Sequence, residues 1–205
     1  MRIYDISMPI CHDMTVYKDR EENRPVCEMT RDYPEGARES KICMGMHTGT
    51  HVDAPKHMIE GGDGIDALDL RQVVTECRVL DLTYFTGGIT QQGLADKDIQ
   101  LGEFILLKTK NSFEDAFDPE FVYLGESGAR FLADKRIKGV GIDALGIERA
   151  QPGHQTHITL FKSGITIIEG LRLKNIPEGR YFLSAAPLSV VDADGAPARA
   201  VLIDA

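Results

Sequence analysis

The sequence predicts one α/β domain. Length sets the first bound, because 205 residues make one large domain or two small ones at about 100–200 residues each. No repeat, low-complexity tract or hinge-like composition divides the chain. Short apolar runs of strand length alternate with stretches of helical spacing, the pattern of strands and helices layered on a shared core.

The elements follow in order. Residues 2–10 read as a strand that ends at Pro9, with Ile3, Asp5 and Ser7 on one face and Tyr4 and Ile6 on the other. Residues 11–40 are polar and irregular, with one strand near Val26–Thr30; connections this long tend to be lids or partner-binding segments. Residues 41–55 hold the histidines treated below, and Gly61, Gly62 and Gly64 mark a turn-rich loop. Residues 65–72 suit a short helix or turn, 73–82 a strand, and 89–96 a short helix. The near-continuous apolar run 103–109 predicts a strand buried on both faces. Residues 126–136 predict a helix, with Ala129, Leu132 and Ala133 on one side and Arg136 near its C-terminus. A strand follows at 138–143. Residues 154–163 suit a helix despite the β-branched Thr156, Ile158 and Thr159. Strand-formers return at 165–173, 180–191 and 198–203.

Charge narrows the function. Lys and Arg number 23 against 32 Asp and Glu, a net −9 that repels phosphate backbones and argues against a nucleic-acid partner. No window of 18 apolar residues is present, so a membrane span is not expected. The opening MRIYDISMPI lacks the apolar stretch of a secretory signal, and a cytoplasmic location is expected. Cys11, Cys27, Cys43 and Cys77 form no C-x-x-C pair, which leaves reduced, mostly buried thiols as the expectation.

Three of the six histidines, His47, His51 and His57, fall within eleven residues, and Asp53 lies between them. Imidazole and carboxylate together suit Zn²⁺, Mn²⁺ or Fe²⁺. The intervening T-G-T and the following Pro55 disfavour a helix. On an extended strand, residues four apart are separated by roughly 13 Å, too far to share one ion comfortably. Gly49 permits the kink that would bring His47 and His51 together. A closed structural zinc site fits less well than a catalytic one, because only three ligand candidates cluster here. Further ligands are available in His154, His157 and Glu169; Glu169 is a charge inside the apolar run I-T-I-I-E-G-L.

The segment H-T-G-T-H-V-D-A-P-K-H resembles the H-x-G-T-H-x-D-x-P-x-H signature of the cyclase-like metal-dependent hydrolases, which include bacterial kynurenine formamidases and isatin hydrolases. The opening Y-D-I-S-M-P-I, the G-V-G-I-D strand and the late A-A-P-L run agree with it. The resemblance implies a single metal-dependent hydrolase domain over residues 1–205, with a mixed barrel-like β core and peripheral helices. It implies His47, His51 and Asp53 as ligands of one divalent ion, Zn or Mn. Asp53 would bridge to a second ion held by His157 and Glu169. His57 would be the general acid/base; His154 maps onto no family ligand.

The implied reaction is cleavage of an amide or lactam C–N bond of a small aromatic substrate by metal-activated water. A metal-dependent cyclase or lyase and a non-catalytic metal or small-molecule binder are the rivals. The kynurenine formamidases of this family place a tryptophan near the N-terminal loop to stack on the aromatic substrate. This chain has none, and Tyr17 lies at roughly that place. The 108–112 stretch also lacks the family's aromatic. A homodimer or homotetramer is implied, with residues 11–40 of one subunit reaching the neighbour's site.

Overall fold

The computed structural model describes residues 1–204. The strands in chain order are β1 (Arg2–Asp5), β2 (Val26–Arg31), β3 (Glu39–Cys43), β4 (His51–Asp53), β5 (Val74–Asp81), β6 (Gly88–Ile89) and β7 (Phe104–Lys108). They continue with β8 (Tyr123–Leu124), β9 (Gly139–Ile142), β10 (Thr166–Glu169), β11 (Gly179–Ser184), β12 (Gly195–Pro197) and β13 (Val201–Asp204). The α-helices are α1 (Gln91–Leu94), α2 (Glu126–Asp134) and α3 (Gln155–Lys162).

Nine strands form one mixed sheet in the order β1-β13-β11-β5-β7-β9-β10-β4-β12, strongly curled into a half-barrel. The central four, β5, β7, β9 and β10, are parallel, and both flanks are antiparallel. Parallel strands need cover on both faces, and the residues supply it. All five residues of β7 are buried, as the apolar run predicts. Ile105 and Leu107 join Val140, Ile142 and Ile167 against Ala129 and Leu132 of α2 and Leu160 of α3. Phe104 and Leu106 face the other way, onto Ile6, Val52, Val79, Ile168, Leu183 and Leu202. Ligand sites of such sheets lie beyond the carboxyl ends of the parallel strands, and here Glu169 closes β10 at that end.

Several boundaries differ from the sequence reading. The first strand ends at Asp5, because Met8 N leaves the ladder and donates to Thr50 Oγ1 (2.8 Å). The predicted 89–96 helix is shorter, since Ile89 pairs in register with Leu124 of β8. Arg136 lies beyond α2 with φ +52°. The expectation of mostly buried thiols is wrong. Cys77 is buried, but Cys11, Cys27 and Cys43 are exposed, and all four are free. Those three sit on loop 11–16 and on the β2–β3 hairpin, every described strand residue of which is exposed.

Candidate active site

The kink expected at Gly49 is present. Gly49 adopts φ +71°, a region open mainly to glycine, and β4 begins two residues later at His51. Gly170, just after β10, has φ +67°, and a Cβ there would lie 2.3 Å from Gly49 O. The two glycines therefore let two backbones touch where the site begins. Thr50 locks the junction: its hydroxyl donates to Gly170 O (2.5 Å) and accepts from Met8 N.

Register then aims the side chains. His51 and Asp53 share one face of β4, two residues apart. Glu169 stands opposite His51 across the antiparallel β4–β10 pair. α3 packs over this face and brings in His157. His51 Nε2 lies 3.1 Å from Asp53 Oδ1 and 3.4 Å from Glu169 Oε2. His157 Nε2 lies 3.4 Å from Glu169 Oε1 and 3.7 Å from Asp53 Oδ2. His47 Nδ1 lies 2.8 Å from Asp53 Oδ1. Besides His47–His57–Asp194 and Glu148–His154–His157, the donors form two groups, His47–His51–Asp53 and Asp53–His157–Glu169, each with ligand atoms within 4.8 Å of one another. Asp53 belongs to both. All five residues singled out as ligand candidates are thus brought together.

The outer ring nitrogens fix the imidazoles. His51 Nδ1 donates to Gly49 O (2.8 Å), His157 Nδ1 to Glu148 Oε1 (2.7 Å), and His47 Nε2 contacts Asp194 Oδ2 at 3.0 Å. Such outer partners are the usual support of metal-binding histidines. With Nδ1 of neutral His51 donating, Nε2 carries a lone pair aimed at two carboxylates. That arrangement is repulsive unless a cation lies between them. His51 Nε2 and Asp53 Oδ2 are both buried without a hydrogen-bond partner, the mark of donor atoms shaped for something other than protein. The five residues fit a divalent ion.

The protonation balance agrees. Burial opposes charge on His51, but Asp53 and Glu169 overcome it and lift its pKa to about 10. Burial is likewise outweighed at His157, which Asp53, Glu148 and Glu169 push well above the ordinary value. Without a metal, protons take the place of the positive charge the carboxylates demand.

His57 differs. It closes a 3₁₀ turn (Pro55–His57), and its ring lies 4.0 Å from that of His47 and 5.7 Å from that of His157. Burial, reinforced by those two imidazoles, pushes its pKa down. A cavity of about 490 Å³ opens onto this cluster, lined by Tyr17, Met46, His47, His57, Met58 and Glu169 among others. Tyr17 sits on its wall with its ring edge-on to Phe117 at 5.4 Å.

Two acidic residues escaped the sequence reading. Glu148 holds His157, and Asp194 holds His47 and lies 3.8 Å from His57 Nδ1. Asp194 is separated from His47 by 147 positions, so no local spacing could have announced the pair.

Residues 4–149 match the Cyclase family. The chain belongs to it. Among curated relatives of this Cyclase-family chain, the kynurenine formamidase of Salinibacter ruber is 32% identical over 209 residues, covering 100% of this chain and 99% of the relative. The kynurenine formamidase of Bacillus cereus is 30% identical over 200 residues, covering 97% and 95%. A solved structure described as a potential metal-dependent hydrolase with cyclase activity is 54% identical, with TM-score 0.91 and coverage of 98% and 96%. Isatin hydrolase A of Labrenzia aggregata shares the fold at 23% identity, with TM-score 0.85 and coverage of 98% and 93%.

Proposed function

We propose that this Cyclase-family chain is a metal-dependent hydrolase, a single domain that cleaves an amide or lactam C–N bond of a small aromatic substrate. One observation carries the reading: two donor groups share Asp53, and their members His47, His157 and Glu169 line a cavity walled by Tyr17. The kynurenine formamidase relatives, matched over nearly full length, support the bond type.

Two ions, Zn²⁺ or Mn²⁺, are the proposed cofactors, with His47, His51 and Asp53 holding one and Asp53, His157 and Glu169 the other. When bound, such ions polarise a carbonyl and make water acidic enough to attack near neutral pH. The chain's own groups do the rest. Tyr17 offers its ring for stacking the substrate aromatic. His57, neutral at pH 7 and 27% exposed toward the cavity, takes a proton from the attacking water and returns it to the leaving nitrogen. Asp194 Oδ2 lies 3.8 Å from Nδ1 of that ring.

A cytoplasmic location is supported by three exposed free thiols, which persist in reducing compartments. A homodimer or homotetramer is supported by the β2–β3 hairpin. Two-stranded hairpins are marginal alone, and this one exposes Val26, Met29 and Ile42. The decisive experiment adds Zn²⁺ or Mn²⁺ to chelator-treated protein and assays formanilides, isatin and small lactams in ¹⁸O-labelled water. Metal-dependent turnover with solvent ¹⁸O in the carboxylate product is the expected result. Turnover without ¹⁸O would favour a cyclase or lyase; the 54% identical structure is described as a potential metal-dependent hydrolase with cyclase activity. Metal uptake without any turnover would favour a binding protein.

A further inference from the structure

We propose that Glu148 is a positioning residue that commits His157 to the cation site and His154 to the substrate. This rests on the hydrolase reading and extends it to two residues that reading leaves without a role. Glu148 is buried on the loop between β9 and α3. Its Oε1 accepts from His157 Nδ1 (2.7 Å) and from His154 Nδ1 (2.9 Å), and its Oε2 accepts from Thr156 N (3.1 Å). An ionised carboxylate only accepts, so both imidazoles must carry their proton at Nδ1. That leaves Nε2 of each ring, whose lone pair is available when the ring is neutral. The lone pair of His157 points toward Asp53 and Glu169. That of His154 is free for the cavity, because this half-exposed ring lines the same 490 Å³ space and makes no other hydrogen bond among the described residues.

The backbone supports an assigned role for His154. It precedes α3 in a left-handed conformation (φ 46°, ψ 43°), which a non-glycine residue adopts at a cost, yet its side chain does not cap the helix. The ring is turned to Glu148 instead. A fixed acceptor on the cavity wall recognises a hydrogen-bond donor. The substrate class that fits is a primary or secondary amide, or an unsubstituted lactam, whose N–H meets His154 while its carbonyl faces the floor.

The test uses full-length protein loaded with zinc. Glu148→Gln keeps the shape and removes the charge; calorimetry should show zinc binding weakened about 10–100-fold. In ¹⁵N spectra of the zinc-loaded wild type, His154 and His157 should both be protonated at Nδ1, and Glu148→Gln should shift both. His154→Ala should leave zinc affinity unchanged and raise KM for an N–H amide about 2–10-fold, the loss of one hydrogen bond, with a smaller change in kcat. Wild-type zinc affinity and unaltered ¹⁵N signals in Glu148→Gln overturn the proposal, and an unchanged KM in His154→Ala overturns its substrate half. If Glu148→Gln fails to fold, Glu148→Asp reads the same quantities with a shortened carboxylate, and wild-type affinity and tautomers there overturn it equally. A wild-type protein that takes up neither zinc nor manganese defeats the hydrolase reading itself, an outcome distinct from a metal-binding wild type with an indifferent Glu148→Gln.

Discussion

Gly170→Ala probes the backbone contact on which the site is built. At φ +67° an alanine pays about 1–2 kcal/mol for its left-handed conformation. Its Cβ would also lie 2.3 Å from Gly49 O. Relaxed C···O contacts begin near 3.3 Å, so the two segments must separate by about 1 Å. Gly164→Ala is the control: it has φ +69° and no atom within 4 Å of its Cβ, so it pays the conformational cost alone. In a chain this size 1 kcal/mol moves Tm by about 2–4 °C, which predicts a loss of about 2–8 °C for Gly164→Ala and more for Gly170→Ala. The larger consequence is local. Gly49 O accepts from His51 Nδ1 at 2.8 Å, and a displacement of Gly49 releases that ring. Misplacement by about 1 Å costs about 100-fold in catalysis, so Gly170→Ala should lose turnover and metal affinity while Gly164→Ala keeps both. Thermal unfolding and metal titration of the two variants measure this. Equal Tm values with equal metal affinities would refute the close-contact argument.

Three further outcomes follow from the same geometry. His57→Ala should retain bound metal and lose about 10²–10⁴-fold in kcat, measured by elemental analysis and steady-state kinetics; near-normal turnover removes His57 from proton transfer. In metal-free protein the raised pKa of His51 contributes stability that is fully present below its unfolded value, about 6.5, and is lost as pH rises toward about 10. Metal-free Tm should therefore fall across that window. Metal must displace the same proton, so metal affinity should rise with pH, and calorimetry in buffers of different ionisation enthalpy should show proton release; a flat profile contradicts the assignment. Finally, Met29→Glu with Ile42→Glu on the exposed hairpin should shift the protein toward monomer in light scattering, and an unchanged mass excludes this hairpin from assembly.

Much of the site was legible because its chemistry is local. His47, His51, Asp53 and His57 lie in one segment, and Gly49 announced the kink that its φ of +71° supplies. Glu169 was readable as a charge in an apolar run, since a buried carboxylate needs a partner. The parallel core was readable as well, because strands covered on both faces leave near-continuous apolar runs such as Phe104–Lys108. Glu148 and Asp194 were not legible. Each acts through a histidine that tertiary structure brings near, and acidic residues in loops carry no periodic signal. The cysteines misled for a related reason. Thiols are usually buried, but Cys27 and Cys43 occupy a hairpin whose described strand residues are all exposed.

Metal stoichiometry per chain, measured by elemental analysis after loading and desalting, bears most directly on the sharing of Asp53 by two cation sites. Wild type should hold two ions, His157→Ala one, and Asp53→Ala none. An Asp53→Ala protein that is folded and still holds two ions would contradict the account.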